Sequence, residues 1–375
     1  MSQIETAVSS GLRITCATEH LAQRVALVAR AVSTRTTVQI LSGIRLDAGE
    51  GRLDLAATDM DLSLRTSLEA SVDGTGSIVV PGRLLMEVTR LLPDSGVVLE
   101  YRHEEGMVLL TSGAAQYRLH TFGVDDFPRL PDVAGETFAV ARDTFLETVA
   151  RVSRASSRDE SRPVLTGILV RFENGRLVMA ATDSYRLAVK ETPLESEAPS
   201  LEAIVPARAL VELGRIAQDG DQIQLGLQEN HVLFGAGDAW LTTRRIDGQF
   251  PDYRQLIPEE FEHELTLPRD DFLEVVRRVA VMAQRNSPLR LRFADGELTV
   301  SAQTQDVGEA RESLPVRFAA DTLEMGFNAE FLREGIESVD SEDVLLRLIS
   351  PLRPGLIRSD GDDFSYLIMP IRLAG

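Results

Sequence analysis

Apolar positions recur along the chain in one arrangement, three times over. Leu21, Val25, Val28 and Val32 lie three or four residues apart, as do Phe145, Val149 and Val152, and again Phe272, Val276 and Val279. That spacing puts each set on one face of a helix. After each helix comes a stretch of alternating character that begins at a Gly-containing turn. Glu50-Gly51 precedes Leu53 to Asp59, Asn174-Gly175 precedes Leu177 to Asp183, and Asp295-Gly296 precedes Leu298 to Thr304. Glycine takes positive φ without steric cost, so each reads as a hairpin turn leading into a strand. A second helix opens at Pro81-Gly82, Pro206-Ala207 and Asn328-Ala329, and runs through Leu84-Leu85, Leu210-Val211 and Phe331-Leu332. Between the first two copies the register holds at about 124 residues, from Leu41-Ser42-Gly43 to Leu165-Thr166-Gly167 and from Phe127-Pro128 to Phe250-Pro251. The third copy is shorter between its first helix and the next strand.

Short strands with two helices per copy predict an α+β fold, antiparallel sheets covered on one face by helices. The expected organisation is a flexible extension over residues 1–10 and three units over 11–132, 133–258 and 259–375. The joints, Leu130-Pro131-Asp132 and Ile257-Pro258-Glu259-Glu260, are short and rich in proline and acid. Units joined this tightly are expected to pack rigidly end to end. A chain that repeats one unit three times is a scaffold rather than a single-site enzyme.

Candidate chemistry is sparse. Asp59 and Asp61 form a D-x-D that could hold Mg²⁺, but the second copy keeps only Asp183 and the third has Gln305 nearby. Carboxylates that the repeats do not maintain read better as turn residues at a strand end. The five histidines are scattered, Cys16 has no partner in sequence, and no Gly-rich loop has phosphate-binding form. The expectation is therefore no catalytic residue, no metal and no cofactor. The polar Met1 to Ser10, the single cysteine and the lack of any run of ~18 apolar residues point to the cytoplasm.

Charge changes the picture. The net charge of −19 argues against a general DNA-binding surface, because non-specific affinity comes from cations meeting phosphates. Yet the six predicted helices together hold sixteen Arg against eleven Asp plus Glu. On the first helix of the second unit, Arg151, Arg154 and Arg158 lie about 120–180° from the apolar stripe. Arg278 and Arg285 repeat Arg151 and Arg158 in the third unit, and Arg30 repeats Arg154 in the first. Six helices packed in a circle at ~9 Å leave only about 7 Å free, whereas twelve leave about 24 Å. B-DNA, roughly 20 Å wide, fits the larger circle alone. Two chains head to tail would supply it.

Three repeats, the segment Ala181-Thr182-Asp183-Ser184-Tyr185-Arg186-Leu187-Ala188, the segment Asp247-Gly248-Gln249-Phe250-Pro251-Asp252-Tyr253 and the terminal Met369-Pro370-Ile371-Arg372-Leu373 resemble the bacterial DNA sliding clamp family, the β subunit of the replicative polymerase. The resemblance begins near Leu12 and covers nearly the whole chain. It implies a non-catalytic, ring-shaped homodimer of the DNA clamp fold, with sheets outside and helices inside. Such a ring encircles duplex DNA, is opened by an ATP-dependent clamp loader, and tethers replicative polymerase and repair proteins by short peptides. Carried over residue by residue, the peptide pocket would comprise Leu165, Thr182, Ser184, Tyr185, Arg186, Leu187, Pro251, Leu256, Leu367, Met369, Pro370, Ile371 and Arg372. An apolar groove with a few polar groups suits an extended peptide, and Met369 supplies an adaptable wall. The ring interface would pair Tyr117 and Leu119 with Val281 and Met282 of a second copy. Val281 falls about 180° from Phe272, on the polar face of its helix, which is natural at a subunit contact. Arg35 matches a DNA-contacting position. Tyr185 replaces a family-typical His, Ser184 a Gly and Gln255 an Arg, and Ala374-Gly375 extend past the usual end, so peptide preference is expected to differ. Two competing readings are a Mg²⁺-dependent DNA-processing enzyme using Asp59, Asp61 and Asp183, and a scaffold that does not bind nucleic acid. Unrepeated carboxylates argue against the first and repeated arginine faces against the second.

Overall fold

The computed structural model describes residues 11–33, 37–133, 135–194, 199–283, 287–305, 307–359, 361 and 363–373. The extension over residues 1–10, Arg35, Arg285 and the terminal Ala374-Gly375 lie outside them. The three predicted hairpins form as read. Glu50 and Gly51, Asn174 and Gly175, and Asp295 and Gly296 all have positive φ, between 51° and 78°. Positive φ at both turn residues marks the tight two-residue hairpin whose twist matches that of its strands.

Among the described residues seven α-helices follow in chain order: α1 (Thr18–Val28), α2 (Gly82–Thr89), α3 (Arg142–Val152), the single turn α4 (Pro163–Thr166), α5 (Ala207–Ile216), α6 (Arg269–Ala280) and α7 (Ala329–Glu337). The predicted stripes are their buried faces. Leu21, Val25, Val28, Phe145, Val149, Val152, Phe272, Val276 and Val279 are all buried. The first helix stops earlier than its periodicity implied: Ala29–Ala31 tightens to a 3₁₀ turn and Val32 is extended. In α2 and α5 only one of each apolar pair is buried, since Leu85 and Leu210 are inside while Leu84 and Val211 are exposed.

Among the described residues all strands pair antiparallel, in four sheets. The two eight-stranded sheets do not respect the repeat boundaries. One joins the first copy to the middle one by pairing Leu62–Glu69 with Ala239–Arg244, in the register Leu62 to Thr243 and Arg65 to Trp240. The other pairs Arg186–Pro193 with Phe364–Ile368, in the register Arg186 to Ile368 and Lys190 to Phe364. The compact units therefore cut through the middle repeat: of the described residues, one holds those up to 142 and 212–245, the other those over 143–211 and from 246 onward. In the first unit, a five-stranded sheet ends on Ala115–His120. In the second, a four-stranded sheet ends on Gly308–Pro315.

Candidate functional site

In the second unit, the strand Arg176–Thr182 turns into Arg186–Pro193 through a hydrogen-bonded loop. Thr182 Oγ1 donates to the Arg186 carbonyl at 2.7 Å and accepts the Ser184 N–H at 3.2 Å. Asp183 Oδ1 accepts the N–H groups of Tyr185 and Arg186 at 2.9 and 3.0 Å. These bonds hold Ser184 at a φ of 81°, a left-handed conformation that favours glycine. Its hydroxyl recovers some of that cost by accepting from Arg162 at 3.1 Å. Asp59 has the same role in the first unit, its carboxylate accepting the N–H groups of Asp61 and Leu62. Met60 sits there at a φ of 83°. The D-x-D is thus a turn device.

The turn presents Tyr185, 62% exposed, beside Met369, 41% exposed, and the Met369 N–H donates to the Tyr185 carbonyl at 2.8 Å. Beneath them Leu187 and Leu367 face each other in the ladder and join Phe250 and Tyr253 in one apolar cluster. Val164, Ile246, Ile257 and Phe261 pack against that cluster. Leu256, 49% exposed, closes the short 3₁₀ turn Tyr253–Leu256. Leu165 is half-buried on α4, Pro251 is exposed, and Pro370 is half-buried after Met369. Gln255 donates to Asp252 at 2.8 Å and holds that turn. Val164, Arg162 and Ile257 were missed in the sequence. The run Arg162-Pro163-Val164 directly before Leu165 was the available signal.

Three predicted pocket residues, Arg186, Ile371 and Arg372, are placed differently. Arg186 is buried, and its guanidinium is committed internally. It pairs with Asp183 at 3.1 Å and with Glu334, bonds the Tyr366 hydroxyl at 3.3 Å, and lies 4.1 Å from the centre of the Phe331 ring. Burial alone would lower its pKa, but Tyr366 and Glu334 outweigh it and raise the value. Burial likewise holds the Tyr366 phenol above its ordinary range. Arg186 therefore supports the surface from below, because a charge removed from water is stable only with its counter-charges beside it. The other departure is at the C-terminal end. Ile371 bonds back to the Gly326 carbonyl at 2.7 Å, leaving the Tyr185 strand for the four-stranded sheet. Arg372 lines a separate depression with Arg290 and Gln303.

Most of the arginines on the expected basic faces are paired with carboxylates. Arg30 pairs with Glu212 at 2.6 Å, Arg154 with Glu337, and Arg278 with Glu312 at 2.6 Å and Glu274 at 3.4 Å. Arg158 is exposed, with no ion pair among the described residues. Arg151 does not fit the expectation. It is buried against Glu147 and Asp340, because α3 turns that position inward near Phe364. The carboxylates register the pairing: the hydrogen bond from Arg278 lowers the pKa of Glu312, and Arg277 and Arg154 lower that of Glu337 against the opposing effect of its burial.

Of the interface candidates, Val281 is 78% exposed just past α6. Met282 is half-buried, its carbonyl accepting from Thr304 at 2.7 Å. Tyr117 is half-buried on the sheet edge, and Leu119 is buried, so it can offer a partner only its backbone.

Family models for the N-terminal, central and C-terminal domains of the DNA polymerase III beta subunit match residues 12–131, 139–252 and 254–372. The chain belongs to the DNA polymerase III beta subunit family. Among its relatives, the beta sliding clamp of Streptomyces coelicolor is 33% identical over 97% of this chain and all of that protein. The DNA polymerase sliding clamp of Bacillus subtilis superposes with a TM-score of 0.92 at 26% identity, over 97% of this chain and all of the other. A sliding clamp of Pseudomonas aeruginosa, solved bound to griselimycin, gives 0.89 at 28% identity over the same shares. As a β sliding clamp the chain is a non-catalytic polymerase subunit, and the carboxylates of Asp59 and Asp183 are engaged by backbone N–H groups of their turns.

Proposed function

We propose that this clamp closes head to tail with a second copy into a ring around duplex DNA. In that ring it acts in the cytoplasm as a processivity factor, opened by a clamp loader and holding replicative polymerase and repair proteins by their peptides. The observation that carries the reading is a pair of open sheet edges next to an exposed valine. Ala115–His120 exposes Gln116, Arg118 and His120, and Gly308–Pro315 exposes Glu309, Arg311 and Ser313; Arg278, three residues before Val281, pairs with Glu312 of that second edge. Unpaired edges invite pairing with another chain. Arg30, Arg154, Arg158 and Arg278 are the described DNA-facing candidates; the exposed pair of Arg278 with Glu312 is weak enough to exchange, so contact with phosphate there would be weak and independent of sequence.

Tyr185, Leu256 and Met369 over the Leu187–Leu367 floor form the surface for partner peptides. The griselimycin-bound relative supports a ligand-accepting site on this fold. The test is retention after loading onto nicked circular DNA. The clamp should stay on the circle and run off once the circle is cut, and equal retention on both would refute a topological link.

A further inference from the structure

The turn that builds the Tyr185 surface has a counterpart in the first unit, and the match extends beyond the turn. The ladder pair Leu62 to Thr243 stands where Arg186 to Ile368 stands in the second unit. The next N–H, of Arg244, donates to the Asp61 carbonyl at 3.2 Å, as Met369 does to Tyr185 at 2.8 Å. Phe127 is buried before Pro128, as Phe250 is before Pro251. Between these elements lies a depression of about 500 Å³, lined among others by Met60, Arg129, Leu130, His231 and Arg244.

Its chemistry differs from that of its counterpart. Met60, 57% exposed, supplies an apolar contact, but Arg244 occupies the Met369 position. Arg129 and Arg244 are both exposed, and neither side chain has an ion pair or hydrogen bond among the described residues. Elsewhere in this acidic chain, Arg30, Arg154, Arg186 and Arg278 are all taken up by carboxylates. Asp61 also lines the depression, leaving its fixed charge net positive. Burial and the neighbouring Arg244 both lower the pKa of His231, consistent with a positive field at that end.

We propose that this depression is a second docking site, taking an extended acidic peptide of a partner protein. One apolar side chain would lie on Met60 and Leu130, with carboxylates on Arg129 and Arg244. Two unpaired guanidiniums at an apolar slot select such a segment by charge. The comparison rests on the reading of the Tyr185 surface as a peptide site, and the two can be tested apart.

The probe is a fluorescein-labelled hexapeptide, Glu-Asp-Leu-Phe-Asp-Glu, with a photo-crosslinking group on its Phe and a Lys-for-acid peptide as control. Crosslinks are expected at Met60 or Leu130, with the acidic peptide bound at least tenfold tighter than the control. Arg129→Glu with Arg244→Glu should weaken it at least tenfold, and Met60→Ser about threefold, with the circular dichroism spectrum unchanged. Met369→Ser with Leu256→Ser should leave the Met60 crosslink intact. Crosslinks confined to Tyr185 and Met369, no crosslink at all, or binding unmoved by the arginine reversals would each overturn the proposal. A crosslink at Met60 alone would uphold it and count against the Tyr185 surface.

Discussion

Replacing Arg186 by Met would test whether the Tyr185 surface is held from below by a charge network. The side chain is nearly isosteric in its stem, so the perturbation is loss of the guanidinium rather than of volume. It would leave Asp183 and Glu334, both largely buried, without their cation, and the Tyr366 hydroxyl without a donor. Breaking a buried ion pair from one side costs about 3–5 kcal/mol. The Phe331 stacking adds up to about 2 kcal/mol where desolvated. Part of this is recovered because Asp183 keeps its two backbone donors, so a net loss of about 3 kcal/mol is expected. The sole tryptophan, Trp240, lies in the other unit, so its fluorescence is the wrong reporter. Native-state amide exchange along Phe364–Ile368 is the appropriate measurement, in a double-mutant cycle with Glu334→Gln. A loss below about 1 kcal/mol, or strictly additive single losses, would refute the network.

Three further outcomes are expected. Glu312 and Glu337 have pKa values below their ordinary 4.5 when folded, so their pairing stabilises the fold fully above about pH 4.5. That contribution should fade as pH falls through the depressed values, because the unfolded chain takes up its protons first. Urea midpoints of wild type and Glu312→Gln should therefore converge on acidification. Gly326→Ala places a Cβ 2.6 Å from Leu373 Cδ2 and 2.8 Å from the Ile371 carbonyl oxygen, so the terminal segment should detach and the Ile371 amide exchange rapidly. Val281→Glu should leave the melting temperature of the isolated chain within about 1 °C while abolishing the dimer in analytical ultracentrifugation.

The features legible in the sequence are those set by local chemistry. Glu50-Gly51, Asn174-Gly175 and Asp295-Gly296 specify their turns within two residues, and the Leu21, Phe145 and Phe272 stripes fix which helix face is buried. What the sequence hid depends on partners far along the chain. Nothing near Leu62–Glu69 indicates that its neighbour is Ala239–Arg244, so the repeats looked like the compact units although two sheets run across their boundaries. A helical wheel finds the face that carries Arg30 or Arg278 but not the acid opposite, since Glu212 and Glu312 come from other elements. Arg151 shows the same limit, as its angle on α3 said outward while Asp340 and Phe364 enclose it. In the candidate groove the exposed apolar residues are legible in the sequence, whereas the burial of Arg186 depends on Glu334 and Tyr366, far along the chain.

The paired arginines also bear on how a ring can hold DNA and still slide. Four unpaired arginines on phosphates would give a salt slope of about −3.6, and each bound cation would have to be stripped at every step. An exposed pair such as Arg278 with Glu312 is worth only ~0.2–1 kcal/mol, so that arginine can swap carboxylate for phosphate at nearly level energy. The glutamates then act as competitors that keep the contact short-lived. Converting Glu212, Glu312 and Glu337 to Gln together should steepen the salt dependence by about one to three and slow one-dimensional diffusion on DNA severalfold. Single-molecule tracking of loaded clamps reads both quantities. Diffusion and salt dependence identical to wild type would mean that these arginines do not meet the duplex, whatever else the ring does.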